Sequence, residues 1–187
     1  FDDFFIPAIS ETVVYKRAVG YFSIGVLLNT PSALSKLVEN KGKLKIIFAK
    51  LITQADYEQL EESLNFNFTE EELPNFHKIL EEHKDSLLSF RIKLLAYLFK
   101  EGFLEIKVAL RRQGLFHQKI GILEDANGDF LSFNGSMNET KSALDPTLNS
   151  EEITIFKSWE EGQRAYVEKH LSDFEKLWLN QSSRNTL

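Results

Sequence analysis

The chain has 187 residues, enough for one domain with a sizeable core, and its 16 phenylalanines make burial easy. It has no cysteine, which excludes a disulfide framework and a cysteine-based zinc site and fits a reducing, cytoplasmic setting. With 22 basic against 28 acidic residues the net charge is −6, which argues against indiscriminate nucleic-acid binding but leaves a local groove open. No apolar run is long enough to span a bilayer and no signal peptide is visible, so no membrane partner is expected. The opening residue is Phe1 and not Met, so a single domain over 1–187 is expected to be part of a longer chain.

In chain order, residues 13–22 (VVYKRAVGYF) are rich in β-branched and aromatic residues and read as a buried strand. Ser23 is placed to cap a short helix, and Thr30-Pro31 opens another with proline at its first position. Residues 43–50 (KLKIIFAK) form the next strand. Thr53 opens a helix to about Leu64, and Thr69 with Glu72 makes a capping box for a further one, Pro74 falling in its first turns. The acidic stretch from Glu58 to Glu82 reads as a solvated helical surface that would repel nucleic acid. An amphipathic segment over 86–102 ends at Gly102, a natural helix stop. Residues 103–110 (FLEIKVAL) are a third strand. A hairpin follows, then 151–156 (EEITIF) as the sixth strand, and Ser158 with Glu161 caps a closing helix to about Asn180. Trp159 and Trp178 read as packing for that helix, and Tyr21 and Phe22 as core. Strands separated by helices, plus one tight hairpin, predict an α/β fold: a mixed sheet with helices on both faces.

The hairpin carries the chemistry. Asn127-Gly128 is a strong turn signal, since a type I′ turn needs positive φ at both central residues. With those two as the loop, Ala126 pairs with Asp129, Lys119 lies opposite Ser136 and His117 opposite Asn138, all four on one side. His117 brings an imidazole able to act as nucleophile or proton donor near neutral pH. Lys119 brings a cation for a phosphate oxygen, and Ser136 and Asn138 add neutral hydrogen bonds. Gly135 lets backbone approach a ligand closely. Glu151, on the face of Ile153 and Ile155, is placed to accept the other imidazole N–H, though Glu152 is adjacent and strand phase decides between them. Nucleophile, cation, polar clamp and orienting carboxylate make a phosphoryl-transfer site without a metal or other cofactor. Singly, each has an ordinary reading: a structural histidine, a surface lysine, turn residues. Packing and hairpin formation do not call for all of them in this order. Arg111 and Arg112, just before the motif, are candidates for phosphate contact or an exposed loop.

HQK followed by NGSMNET resembles the H-x-K…G-S-x-N signature of the phospholipase D-like superfamily. RAVGYFS at 17–23 and the stretch from Ser158 to Trp178 extend the resemblance toward the phospholipase D-like domain at the front of bacterial helicases and restriction-type proteins. The acid expected after the lysine falls at Glu124, where the pattern has Asp, and Asp125 stands one place late; in the superfamily that acid is more structural than chemical. The resemblance implies an α/β/α sandwich working as a homodimer. It implies that His117 attacks phosphorus, that the matching histidine of a second motif protonates the leaving group, and that Lys119, Ser136 and Asn138 hold the oxygens. Glu151 would support His117, and Arg17 is a weaker candidate for contact with the substrate backbone. One motif per chain calls for a second copy, since His77, His83 and His170 lack the H-x-K spacing.

Three function classes follow. The first is a metal-independent phosphodiesterase, a DNA endonuclease of restriction or helicase-associated type, covalently linked to a downstream helicase or DNA-recognition domain. The second is a catalytically weak module for dimerisation or DNA placement, which the acidic charge keeps open. The third, a phospholipid phosphodiesterase, fits less well: such enzymes usually carry two motifs per chain, and no apolar membrane-binding stretch is present.

Overall fold

The computed structural model describes residues 4–20, 31–48, 96–109, 118–136 and 152–181. The caps expected at Ser23 and Thr30, the core pair Tyr21 and Phe22, the helices opening at Thr53 and Thr69 and the acidic stretch from Glu58 to Glu82 lie outside the described residues, as does the start of the 86–102 segment.

The described elements are α1 (Phe5–Ser10), β1 (Thr12–Val19), α2 (Pro31–Glu39), β2 (Lys43–Phe48), β3 (Leu104–Val108), β4 (Lys119–Asp125), β5 (Phe130–Gly135), β6 (Ile153–Lys157) and α3 (Arg164–Trp178). The six strands form one mixed sheet in the order β3-β2-β1-β4-β5-β6. β1, β2 and β3 run parallel, while β4 is antiparallel to β1 and to β5, and β6 is antiparallel to β5. The expected α/β fold with helices on both faces is what forms.

The pleat sends alternate residues to opposite faces, and each face has its own core. On one, Tyr15, Val19, Leu44, Ile46, Phe48, Leu104, Leu123 and Phe133 pack with Phe5 and Ile9 of α1, Leu34 and Leu37 of α2, and Leu98. On the other, Ala18, Ile47 and Ile122 pack under Phe174, Leu177 and Trp178 of α3. The short α1 was not expected from the sequence; its signal is the pair Phe5 and Ile9, four apart and both buried. Pro7 is tolerated there because it falls in the first turn.

Chain stops follow from local chemistry. Pro31 occupies the first position of α2, as expected. That helix ends where Lys41 turns left-handed (φ 53°): Lys41 N–H donates to the Val38 carbonyl at 2.9 Å and Gly42 N–H to the Leu37 carbonyl at 2.8 Å. The closing helix ends the same way at Asn180 (φ 57°), with Gln181 N–H on the Lys176 carbonyl at 2.7 Å. Residues 96–100 are helical and stop at Gly102, φ +75°.

Two expectations about the last helix are corrected. Ser158 does not cap it: α3 begins at Arg164, because Gly162 at φ +84° interrupts the chain first. The Ser158 hydroxyl instead accepts the Phe130 N–H at 2.9 Å, tying β6 to the hairpin. Trp178 is buried as expected, but Trp159 lies in the turn before the helix and is 54% exposed.

Candidate functional site

The hairpin register differs from the expected one by a single residue. Type I′ requires positive φ at Asn127 and Gly128, but only Gly128 has it, at +82°. The loop has three residues: Asp125 N–H donates to the Asp129 carbonyl at 3.0 Å, and Gly128 N–H to the Asp125 carbonyl at 3.2 Å. The Asp125 carboxylate stabilises this turn by accepting the N–H groups of Asn127 (2.8 Å) and Asp129 (2.9 Å). Those bonds, that from Asp129 foremost, hold its pKa below the ordinary carboxylate value. Asp125 therefore pairs with Asp129, Glu124 with Phe130, and Ile120 with Asn134.

Continuing that register puts Lys119 level with Gly135, not with Ser136. Lys119 also stands opposite Val19 on β1, Val19 opposite Phe48, Phe48 opposite Val108, and Gly135 opposite Ile153. One row of residues thus crosses all six strands at the carboxyl ends of the parallel strands, the edge at which open α/β sheets hold their ligands. His117, Asn138, Glu151, Arg111 and Arg112 lie outside the described residues. His117 is two residues before Lys119 in the chain, and Glu151 is two before Ile153, the β6 residue opposite Gly135. The phase that pairs Ile153 and Ile155 with Gly135 and Phe133 puts both isoleucines on the face of Lys119.

Lys119 is 8% exposed. A lysine in the last row of a sheet can bury its methylene stem and carry its ammonium to the edge. Ser136, one residue past β5, is held by β6: its N–H donates to the Glu152 carbonyl at 3.0 Å, and its Oγ accepts the Glu152 N–H at 3.1 Å. Gly135 has a backbone reason to be glycine, since a Cβ there would lie 1.9 Å from the Glu152 carbonyl oxygen. This clasp was missed from sequence, and so was a second close approach: a Cβ at Gly121 would lie 2.0 Å from Phe133 Cζ. A glycine inside a strand is the signal that could have found it.

Arg17 is not a surface contact. It is 1% exposed in mid-β1, opposite Gly121, with its guanidinium 5.0 Å from the centre of the Phe133 ring. Glu124 points to the other face, where Lys16 lies 3.7 Å from it and 3.1 Å from Glu175 of α3, joining β4, β1 and the helix. On that same face the buried His170 ring sits with Nδ1 2.9 Å from Ser132 Oγ and its edge toward Phe156. This histidine belongs to the helix–sheet interface, away from the face of Lys119. Among the described residues no three His, Asp or Glu side chains gather as metal ligands would, and no helix is long and apolar enough to cross a membrane.

No family model matches the chain, and no curated protein matches it. Solved structures do. Yeast tyrosyl-DNA phosphodiesterase is similar at a TM-score of 0.45 and 13% identity over 94% of this chain and 36% of that one. A mutant form of the yeast tyrosyl-DNA phosphodiesterase 1 is similar at a TM-score of 0.44 and 14% identity, over 90% of this chain and 33% of that one. The chain thus spans about a third of the length of the structures it matches.

Proposed function

We propose that the protein is a metal-independent phosphodiesterase acting on DNA, an endonuclease of restriction or helicase-associated type, built on a phospholipase D-like site. The observation that carries this reading is the convergence of Lys119, Gly135 and Ser136 on one sheet edge, in the order and spacing of the H-x-K…G-S-x-N signature. His117 attacks phosphorus, forming a P–N bond as the P–O bond to the leaving group breaks. The leaving oxygen takes its proton from His117 of a second copy. Water then attacks the phosphohistidine, giving its proton back to that second imidazole as the P–N bond breaks and a P–O bond forms. Lys119 supplies positive charge at the non-bridging oxygens, with Ser136 and Asn138 as hydrogen-bond partners and Glu151 accepting the other N–H of His117. Splitting one displacement into two lowers each barrier, and the lysine takes the electrostatic role a metal fills elsewhere. Arg111 and Arg112 contact the DNA backbone, and a covalently linked domain beyond this one selects the DNA.

The deciding experiment is cleavage of a DNA substrate and a chromogenic diester with and without EDTA. Cleavage survives EDTA, and His117→Ala abolishes it; cleavage that stops in EDTA and returns with magnesium overturns the mechanism. A second reading, which the net charge of −6 keeps open, is a catalytically weak dimerisation or DNA-placement module. That reading expects DNA binding with no turnover.

A further inference from the structure

The junction of β5 and β6 is built more tightly than a strand pair needs. The ladder pairs Gly135 with Ile153, and one step further Ser136 and Glu152 exchange two hydrogen bonds, one through backbone and one through the serine hydroxyl. The approach is so close that the side chain at 135 has to be absent, its Cβ position falling 1.9 Å from the Glu152 carbonyl oxygen. Real Cβ atoms do not come that near a carbonyl oxygen, so any larger residue displaces the start of β6 or the end of β5. Both backbone strands are stiff ladder segments, and Gly135, one residue before the clasp, is level with Lys119 of β4.

We infer that Gly135 and the Glu152 backbone are positioning residues: the clasp fixes the Ser136 hydroxyl at the sheet edge that carries Lys119, in the orientation that meets a phosphoryl oxygen. This rests on the phosphodiesterase reading above. The Glu152 N–H takes one lone pair of Ser136 Oγ, which restricts the directions left for the hydroxyl proton. A donor aimed before the substrate arrives costs no reorganisation as charge develops, so the clasp acts on turnover more than on binding. The glycine of the motif is then explained by the neighbouring strand and not by the ligand.

The test removes each half of the clasp. Glu152→Pro replaces the N–H that Ser136 Oγ accepts with a ring methylene that pushes the hydroxyl off its position, while the Glu152 carbonyl stays; proline is tolerated at the start of an edge strand. Ser136→Ala deletes the hydroxyl, Ser136→Thr keeps it, and Gly135→Ala forces the strands apart. On bis(p-nitrophenyl) phosphate, Glu152→Pro and Ser136→Ala are each expected to lower kcat about tenfold or more with KM within about twofold, as loss of an aimed donor does. The double variant is expected to be no worse than the poorer single one, since both remove one device. Ser136→Thr recovers most of the rate. Wild-type kcat in Glu152→Pro, or effects that multiply in the double variant, overturns the inference. Amide hydrogen exchange at Glu152 reads the clasp without turnover: protection falls in Ser136→Ala and returns in Ser136→Thr, and unchanged protection in Ser136→Ala overturns it as well. A wild-type protein that cleaves no diester, yet shows this exchange pattern and an orthophosphate affinity lowered by Glu152→Pro, sinks the phosphodiesterase reading and keeps the clasp as an anion-positioning device. Orthophosphate affinity unmoved in that protein sinks both.

Discussion

The Phe133 ring lies against the backbone of Gly121, so that a Cβ at 121 would meet Phe133 Cζ at 2.0 Å. The same ring takes the Arg17 guanidinium at 5.0 Å and the edges of Phe4 and Phe5 at 5.9 and 5.2 Å. One phenylalanine therefore joins β4, β5, β1 and α1. Gly121→Ala forces the ring to move and is expected to cost about 1–3 kcal/mol, the usual penalty of overpacking. Phe133→Ala, which empties the centre of the cluster, costs about 3–5 kcal/mol. Urea unfolding measures both; an unchanged midpoint for Gly121→Ala would show that the ring does not rest there.

The proposed clamp gives a kinetic prediction. Replacing Lys119 with Met, or Asn138 with Ala, lowers diester turnover by about 10²-fold or more, the scale for loss of one charge-stabilising donor. Lys119→Met keeps the apolar stem that the 8% exposure of Lys119 calls for, so the unfolding midpoint should hold. Full turnover in both variants refutes the assignment.

A mechanism with two histidines and a chain with one H-x-K motif predict a homodimer. Sedimentation at micromolar concentration should return twice the chain mass. Mixing His117→Ala with Lys119→Met chains should not restore the rate where each composite site keeps one defect. A strictly monomeric protein that cleaves diesters would end the two-histidine account.

His170 predicts a pH dependence of stability. Burial holds its imidazole below the ordinary value, with Asp173 opposing and Lys169 adding to the effect, while Ser132 of β5 and Phe156 of β6 face the ring. The folded protein thus binds the proton less readily than the unfolded chain. Stability is at its full value above the unfolded pKa of about 6.5 and falls as pH drops below it, because the unfolded state then takes up a proton the folded state refuses. His170→Gln should flatten the unfolding midpoint over that acid range. A wild-type midpoint that rises on acidification would reverse the sign and refute the assignment.

The sequence by itself determined the local elements. β-branched runs made strands, Pro31 opened a helix, and Gly102 and Asn180 closed two others, because these depend on residues within one turn or one pleat. The alternation of strands with helical stretches was enough for the α/β class, and the order of His117, Lys119, Gly135, Ser136 and Asn138 was enough to name a candidate site. Tertiary structure decided the rest. Hairpin pairing turned on whether Asn127 or only Gly128 would take positive φ, and the Asp125 carboxylate settled a three-residue loop, moving Lys119 from Ser136 to the level of Gly135. Arg17 stood as a candidate for contact with the substrate backbone, on the resemblance alone. The fold buries it in mid-β1, beside the Phe133 ring of β5. Gly135 looked like a ligand's approach path until the Glu152 carbonyl filled that space. In each case the deciding partner is a residue distant in sequence or a backbone angle, and a pattern of side chains carries neither.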